Sequence, residues 1–308
     1  MKPPPLHYHR AESVSGAVRL LTRSGERPVV LAGGQSLVPA LNRRELAPTD
    51  LVDITHVAAL ARTTKHRGCL FVGAAVRQAE AEHGTAAREL PLLGQALELV
   101  ATAEIRNRGT VVGSLVHGDP AAELPAVLRL TGGRLHIIGP HSGRVVSATE
   151  FLDAPRHERL DPGELVTAAE FPLLADHSGS AFVEEAPRAA DRALCGAAAV
   201  VTLTSGHGAT AVVSRAAVCL IAVARAPVLR EVDGTLLGRP VAATAWAEAA
   251  HRACADLAPP SDQHADSAYR RHLAAVLAAR ALHTAGLRAA ALQAADRRTP
   301  DHDAMEVA

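Results

Sequence analysis

The sequence predicts an α+β protein of two domains, and three observations carry that prediction. Over roughly its first 175 residues, short β-branched runs alternate with segments of helical period. Beyond them the order changes to strands first and Ala-rich helices after, which marks a smaller, separate α+β unit. The 308 residues are long enough for each domain to bury a core of its own.

Taken in order, Val14, Ala17, Val18 and Leu21 recur at helical spacing behind Ser13, a suitable cap. Val29 to Ala32 reads as a strand, as do Leu51–Thr55 ("LVDIT") and Leu70–Val76 ("LFVGAAV"). Leu93, Ala96, Leu97 and Val100 mark a second helix, and Glu104 to Pro125 reads as a turn-rich stretch with a glycine-rich loop. "RLHIIG" and "GRVVSATEFL" form a hairpin pair around Pro140 to Gly143. The first domain covers residues 1–175, divided near residue 56. After a polar loop at Ala175–Gly179 come the strands "AAAVVTL" and "ATAVVSRAAVCLIAVA". Helices follow from Pro240 and from near Ser267, giving a second domain over 176–290 and a charged, flexible tail over 291–308.

Composition excludes several functions. With 32 basic and 32 acidic residues, nothing points to a nucleic acid or another polyanion. No segment is apolar enough to span a bilayer, and "MKPPPLHYHR" lacks the apolar core of a secretory signal, so a cytoplasmic protein is expected. The 4 cysteines (Cys69, Cys195, Cys219 and Cys254) form no CxxC pair. His7 with His9, and His251 with Cys254, share a face of one element, but two ligands do not make a metal site, and none is expected. No spacing suggests a nucleophile elbow. Arg106 to Arg108 reads as a solvated or salt-bridged helix end, with an anion or a partner's carboxylates as the alternative. Asp119 and Glu123 could be read as a carboxylate pair for acid–base work, but Asp119, directly before Pro120, reads better as a turn residue. No catalytic residue is assigned.

The informative feature is a pair of glycine loops. Gly33-Gly34 ends a strand, and Gly109 to Ser114 forms the second loop. Neither fits GxGxxG or GxxxxGK[ST]. Glycine lets a ligand approach bare backbone, and Ser36, Thr110 and Ser114 can donate to phosphate oxygens beside it. Two such loops converging on one pyrophosphate would suit an extended dinucleotide, with FAD the natural candidate.

At these residues the chain resembles a known family. "LAGGQSLVPAL", "EIRNRGTVVGSLVHGDPAAELP", "FLDAPRHERLDPGELV" and "YRRHLAAVLAARAL" look like the FAD-binding medium subunit of molybdenum hydroxylases. That family includes the flavoprotein subunits of carbon monoxide dehydrogenase and the flavin domain of xanthine dehydrogenase. The resemblance runs from about Tyr8 to about Leu287. It implies a two-subdomain FAD-binding fold of the vanillyl-alcohol oxidase type, followed by a ferredoxin-like α+β domain.

Carried over position by position, the resemblance puts Ala32, Gly33, Gly34, Gln35, Ser36 and Leu37 in the first flavin loop. Gly33 and Gly34 would approach the pyrophosphate, with Ser36 hydrogen-bonding it. Thr110, Gly113, Ser114 and His117 belong to the second loop. Glu123 would lie near the adenosine end, and Leu165 or Val166 near the isoalloxazine or ribityl chain. Val112 stands where the family has glycine; at a glycine-only backbone it would cost on the order of 1–3 kcal/mol. The resemblance implies an electron-transferring FAD subunit, partnered by a molybdopterin-containing large subunit and a [2Fe–2S] small subunit, with a small-molecule electron acceptor. A free-standing FAD enzyme and a flavin-free scaffold are the alternative readings. With no His or Cys in either glycine core, FAD would be held non-covalently.

Overall fold

Ser13 adopts extended backbone and its hydroxyl accepts the Gly16 N–H, which starts α1 (Val14–Leu21) where the periodicity predicts a helix. In the computed structural model, which describes residues 6–23, 27–204, 212–241 and 243–296, this helix joins the first two strands of a small parallel sheet. β1 (His7–Arg10), β2 (Pro28–Leu31) and β3 (Asp50–Asp53) lie in the order β1-β3-β2, with α2 (Leu37–Asn42) crossing from β2 to β3. Both outer strands run parallel to β3, so Tyr8 and Val29 each pair with Leu51. Parallel neighbours require such crossovers, and the glycine loop leaves the carboxyl end of β2, where sheets of this kind accept ligands.

The second sheet has the order β4-β5-β8-β6-β7. Its strands are β4 (Thr63–His66), β5 (Cys69–Gly73), β6 (Arg134–Ile138), β7 (Gly143–Ser147) and β8 (Leu165–Pro172), all paired antiparallel. Between β5 and β6 the chain builds α3 (Gln78–His83), α4 (Thr85–Glu89), α5 (Pro91–Leu99), α6 (Ala103–Arg106), α7 (Val111–His117) and α8 (Glu123–Leu130); α9 (Ala148–Asp153) follows β7. The stretch from Glu104 to Pro125, expected as turns, is therefore largely helical. At 4 and 7 residues, α6 and α7 are too short to display a period, and Thr110 starts α7 with its own side chain.

The second domain is an antiparallel meander, β9 (Ser178–Glu185), β10 (Cys195–Leu203), β11 (Val213–Ile221) and β12 (Val228–Glu231), neighbours in space as in sequence. After it come α10 (Asp233–Leu236), α11 (Ala243–Cys254) and α12 (Ser267–Asp296). The α+β class holds, with strands before helices. The ferredoxin-like connectivity does not, because that arrangement interleaves helices with strands in a split βαβ order. Part of the second predicted strand, residues 209–211, lies outside the described residues. The expected flexible tail begins inside α12, which continues to Asp296; residues 297–308 lie outside the described part.

The meander explains its own unbroken apolar runs. Ala198, Val200, Ala217, Cys219 and Ile221 join the first domain's core. Their alternates Ala197, Ala199, Val201, Val218 and Leu220 pack with Trp246 and the apolar face of α12. A sheet buried on both faces has no polar side to alternate with. Burial also pushes the thiols of Cys195, Cys219 and Cys254 up to about 12, 12 and 11, so they remain uncharged packing groups.

α12 sits on β9 because Gly179 has no side chain: a Cβ there would fall on the Ala285 carbonyl oxygen and the Ala289 nitrogen. Gly179→Ala is expected to lower the unfolding free energy by about 3 kcal/mol or more in urea titrations. Gly234→Ala, whose methyl would meet nothing within 4 Å, is expected to change it by less than about 1 kcal/mol. Equal losses would contradict this seating of α12.

Candidate cofactor site

The two glycine loops meet back to back. A Cβ on Gly33 would lie 2.6 Å from the Arg108 carbonyl oxygen and 2.7 Å from Gly109 Cα. Gly33 therefore has to be glycine to let the second loop approach, a requirement the sequence does not reveal, and its backbone still borders the cavity beside that seam. Gly34 differs: its φ of +74° is left-handed, and a Cβ would meet only Leu31 and Val38 side chains at 3.3 and 3.4 Å. Conformation fixes that residue as glycine. The second loop is pinned from its other side, where Gln78 N donates to Gly109 O at 2.9 Å and Val111 N to Val76 O at 3.2 Å.

Along this seam runs a cavity of about 820 Å³, and every residue expected at the site lines it: Ala32, Gly33, Gly34, Gln35, Ser36, Leu37, Thr110, Gly113, Ser114, His117, Glu123 and Leu165, with Val166. Its size suits a cofactor, within the roughly 300–1,000 Å³ of ligand clefts. The polar groups divide by task. Gln35 Nε2 donates to Gly33 O at 3.0 Å and stiffens the first loop. The Thr110 hydroxyl accepts the Gly113 N–H at 3.1 Å, so it caps α7. Ser36 stands at the start of α2 but makes no capping bond, which leaves its hydroxyl for a ligand. His117 closes α7 ahead of left-handed Gly118; burial, then Arg156, pushes its pKa down, so the imidazole is neutral near pH 7.

Several lining residues escaped the sequence reading. Gln78 is 4% exposed, and its Oε1 has no hydrogen-bond partner. That oxygen stands where a Cβ of Gly109 would go, which explains the glycine. Ala190, Asp191 and Arg192 reach the cavity from the second domain. Arg192 Nη2 donates to Asp119 Oδ1 at 2.7 Å across the domain boundary. Burial works against the Asp119 carboxylate, yet Arg192 and the Ala121 N–H hold its pKa below the ordinary value. Asp119 thus serves the turn before Pro120, its Oδ1 accepting the Ala121 N–H at 2.8 Å, and is at the same time an interdomain clasp. No local pattern marks Arg192, because its partner is distant in sequence.

Bare backbone at Gly34, an unengaged Ser36 hydroxyl, an orphaned amide oxygen at Gln78 and long apolar walls fit an extended dinucleotide with a flat ring at one end. The family model for the FAD-binding domain in molybdopterin dehydrogenase matches residues 4–174, and that for the CO dehydrogenase flavoprotein C-terminal domain matches residues 180–285. The chain belongs to this family. It is 36% identical over 302 residues to the 6-hydroxypseudooxynicotine dehydrogenase complex subunit alpha of Paenarthrobacter nicotinovorans, covering 92% of this chain and 97% of that one. It is 32% identical to the carbon monoxide dehydrogenase medium chain of Afipia carboxidovorans, covering 94% and 99%. Its fold is similar to carbon monoxide dehydrogenase of Hydrogenophaga pseudoflava, with a TM-score of 0.85, 30% identity and 94% and 99% coverage. Quinoline 2-oxidoreductase of Pseudomonas putida 86 also gives a TM-score of 0.85, at 32% identity and the same coverage. FAD is accordingly the cofactor of this oxidoreductase subunit.

Within the family pattern, Val112 is tolerated without strain. It lies in the first turn of α7 in ordinary helical conformation, is 2% exposed and joins the first domain's core while lining the cavity. The expected backbone penalty does not arise.

Glu123 opens α8 with 9% exposure, and burial pushes its carboxyl up to about 7. Glu184 on β9 faces the same junction; burial, then the Glu123 charge, pushes it up to about 8, and its Oε2 has no partner. The folded chain holds both protons more tightly than the unfolded chain does. Their contribution to stability is therefore complete below about pH 4.5 and is lost as pH rises through about 7 to 8. In urea unfolding, Glu184→Gln is expected to gain on wild type steadily from pH 5 to pH 8.5; a constant difference would contradict the buried pair. At the seam, Gly33→Ala is expected to weaken FAD binding at least about tenfold in a flavin fluorescence titration, because the methyl must push the loops apart.

Proposed function

We propose that the chain is the electron-passing subunit of a molybdopterin dehydrogenase complex, receiving electrons from a [2Fe–2S] subunit that a molybdopterin-containing large subunit feeds, and delivering them to a separate small-molecule acceptor. The observation that carries this reading is the locked pair of glycine loops along one cavity, in a chain that matches medium-chain relatives over almost their whole length. Bound in that cavity, FAD supplies reversible two-electron chemistry. The chain's own residues hold and orient it: Gly34 and Ser36 take the pyrophosphate, Ser114 adds a hydroxyl, and Leu165, Val166 and Val112 keep water from the apolar part. The Asp119–Arg192 clasp holds the second domain against the same cavity.

The test is anaerobic stopped-flow reduction of the purified flavoprotein by small metabolites, alongside affinity isolation from the native host. Slow bleaching by metabolites and co-isolation of molybdopterin and iron–sulfur subunits are expected. Rapid, saturable bleaching by one metabolite, with turnover in oxygen and no partner protein present, would identify a free-standing enzyme instead. Heat denaturation is expected to release FAD into the supernatant.

A further inference from the structure

A second cleft, of about 750 Å³, opens between the α8–α9 region of the first domain and the turn joining β11 to β12. Arg129, Arg156, Arg159, Arg225 and Arg230 line it, against the acids Asp153 and Glu231. Both acids are already engaged, Asp153 by Arg129 and Glu231 by Arg215 from outside the cleft. Arg230 pairs with Asp256 at 3.1 Å. Among the described residues, Arg156, Arg159 and Arg225 have no carboxylate in ion-pair range; Arg156 reaches only the Gly118 carbonyl, at 3.4 Å.

Arg159 sets the character of the cleft. It is 7% exposed, and its guanidinium donates to the carbonyls of Leu152 and Ala154 at 2.9 and 3.1 Å. Its Nη1 is buried with no acceptor. The backbone makes room for it: Gly118 is left-handed, with φ of +55°, and a Cβ there would fall on Arg159 Nη1. Burial, then the neighbouring Arg156, pushes the guanidinium below its ordinary pKa. Asp153, from beyond ion-pair range, and the Phe151 ring, 5.4 Å below the guanidinium, offset only part of the cost of burying this charge, and charge-assisted hydrogen bonds to an oxyanion are what compensate a guanidinium best. The planar forks of Arg156 and Arg225 at the exposed rim match phosphate oxygens bidentately.

We propose that this cleft binds an oxyanion of the phosphate class, held by Arg156 and Arg225 and stabilised from beneath by Arg159. The site is separate from the FAD cavity, although Arg156 borders both. Free phosphate and a phosphorylated metabolite share this chemistry, and the experiment separates them.

The FAD-loaded chain, whose pyrophosphate position is already filled, is titrated calorimetrically with inorganic phosphate, and separately with ADP, against a chloride background of constant ionic strength. Saturable phosphate binding is expected, weakened at least about tenfold in Arg159→Gln and in Arg225→Gln, with the flavin absorbance unchanged. Tighter ADP binding with the same variant sensitivity would assign the site to a phosphorylated metabolite. Arg225 is exposed, so its variant keeps the test decisive if Arg159→Gln folds poorly. Absence of saturable binding by either probe, or unchanged affinity in Arg225→Gln, would overturn the proposal. Variants that assemble poorly with the large subunit yet bind phosphate normally would also overturn it, assigning these arginines to a partner's carboxylates.

Discussion

Contact between the Gly33 backbone and the Arg108–Gly109 peptide is the constraint on which the rest of the site depends. The first loop belongs to a parallel sheet and the second to the helical insert of an antiparallel one. Neither sheet pairs with the other, so their relative position rests on this close approach and on apolar packing. Main-chain bonds from Gln78 and Val111, together with a hydrogen bond from the Arg77 guanidinium to Arg108 O, hold the second loop while the first leans on it. Only hydrogen at Cα permits backbone to pack on backbone at that distance. The cavity follows as the space beside the seam.

A second constraint seats the C-terminal domain. Its meander serves two cores at once, one face on α8 and the first domain, the other under α11 and α12. A sheet shared in this way cannot swing freely without exposing apolar surface, which costs about 25 cal/mol for each Å². Polar bonds then fix the register of the junction: Ala222 N donates to Pro120 O at 2.8 Å, and Arg129 Nη1 to Pro227 O at 2.5 Å. The same junction brings Arg192 to Asp119 and Glu184 towards Glu123. The first gains from opposite charge; in the second, burial is the main force holding both carboxyls towards their neutral forms, and the Glu123 charge adds to it at Glu184.

Charge is distributed unevenly over this frame although the chain as a whole is balanced, at 32 basic and 32 acidic residues. Carboxyls with raised pKa lie beside the cofactor cavity, while unpaired arginines line the neighbouring cleft. Gly118, at the end of α7, borders that cleft, and its left-handed turn sends the chain from the histidine that lines the first cavity towards the prolines and arginines of the second.

The secondary structure was legible where its signal is local. Ser13 and the spacing of Val14, Ala17, Val18 and Leu21 specify α1, and β-branched runs specify β2, β3 and β5. The short helices α6 and α7 were hidden because one or two turns have no period, and the ferredoxin-like expectation failed because strand order is not written in strand content. The sequence by itself determined the domain order, the two glycine loops and the family of their cofactor, since those rest on residue types at short, ordered spacing. Only the tertiary structure decided that Gly33 has to admit the other loop, that Val112 is unstrained, that Asp119 belongs to Arg192, and that Arg159 lies buried with no carboxylate in ion-pair range. Each of these depends on what a side chain or a bare Cα meets across the fold, a distance that no local spacing encodes.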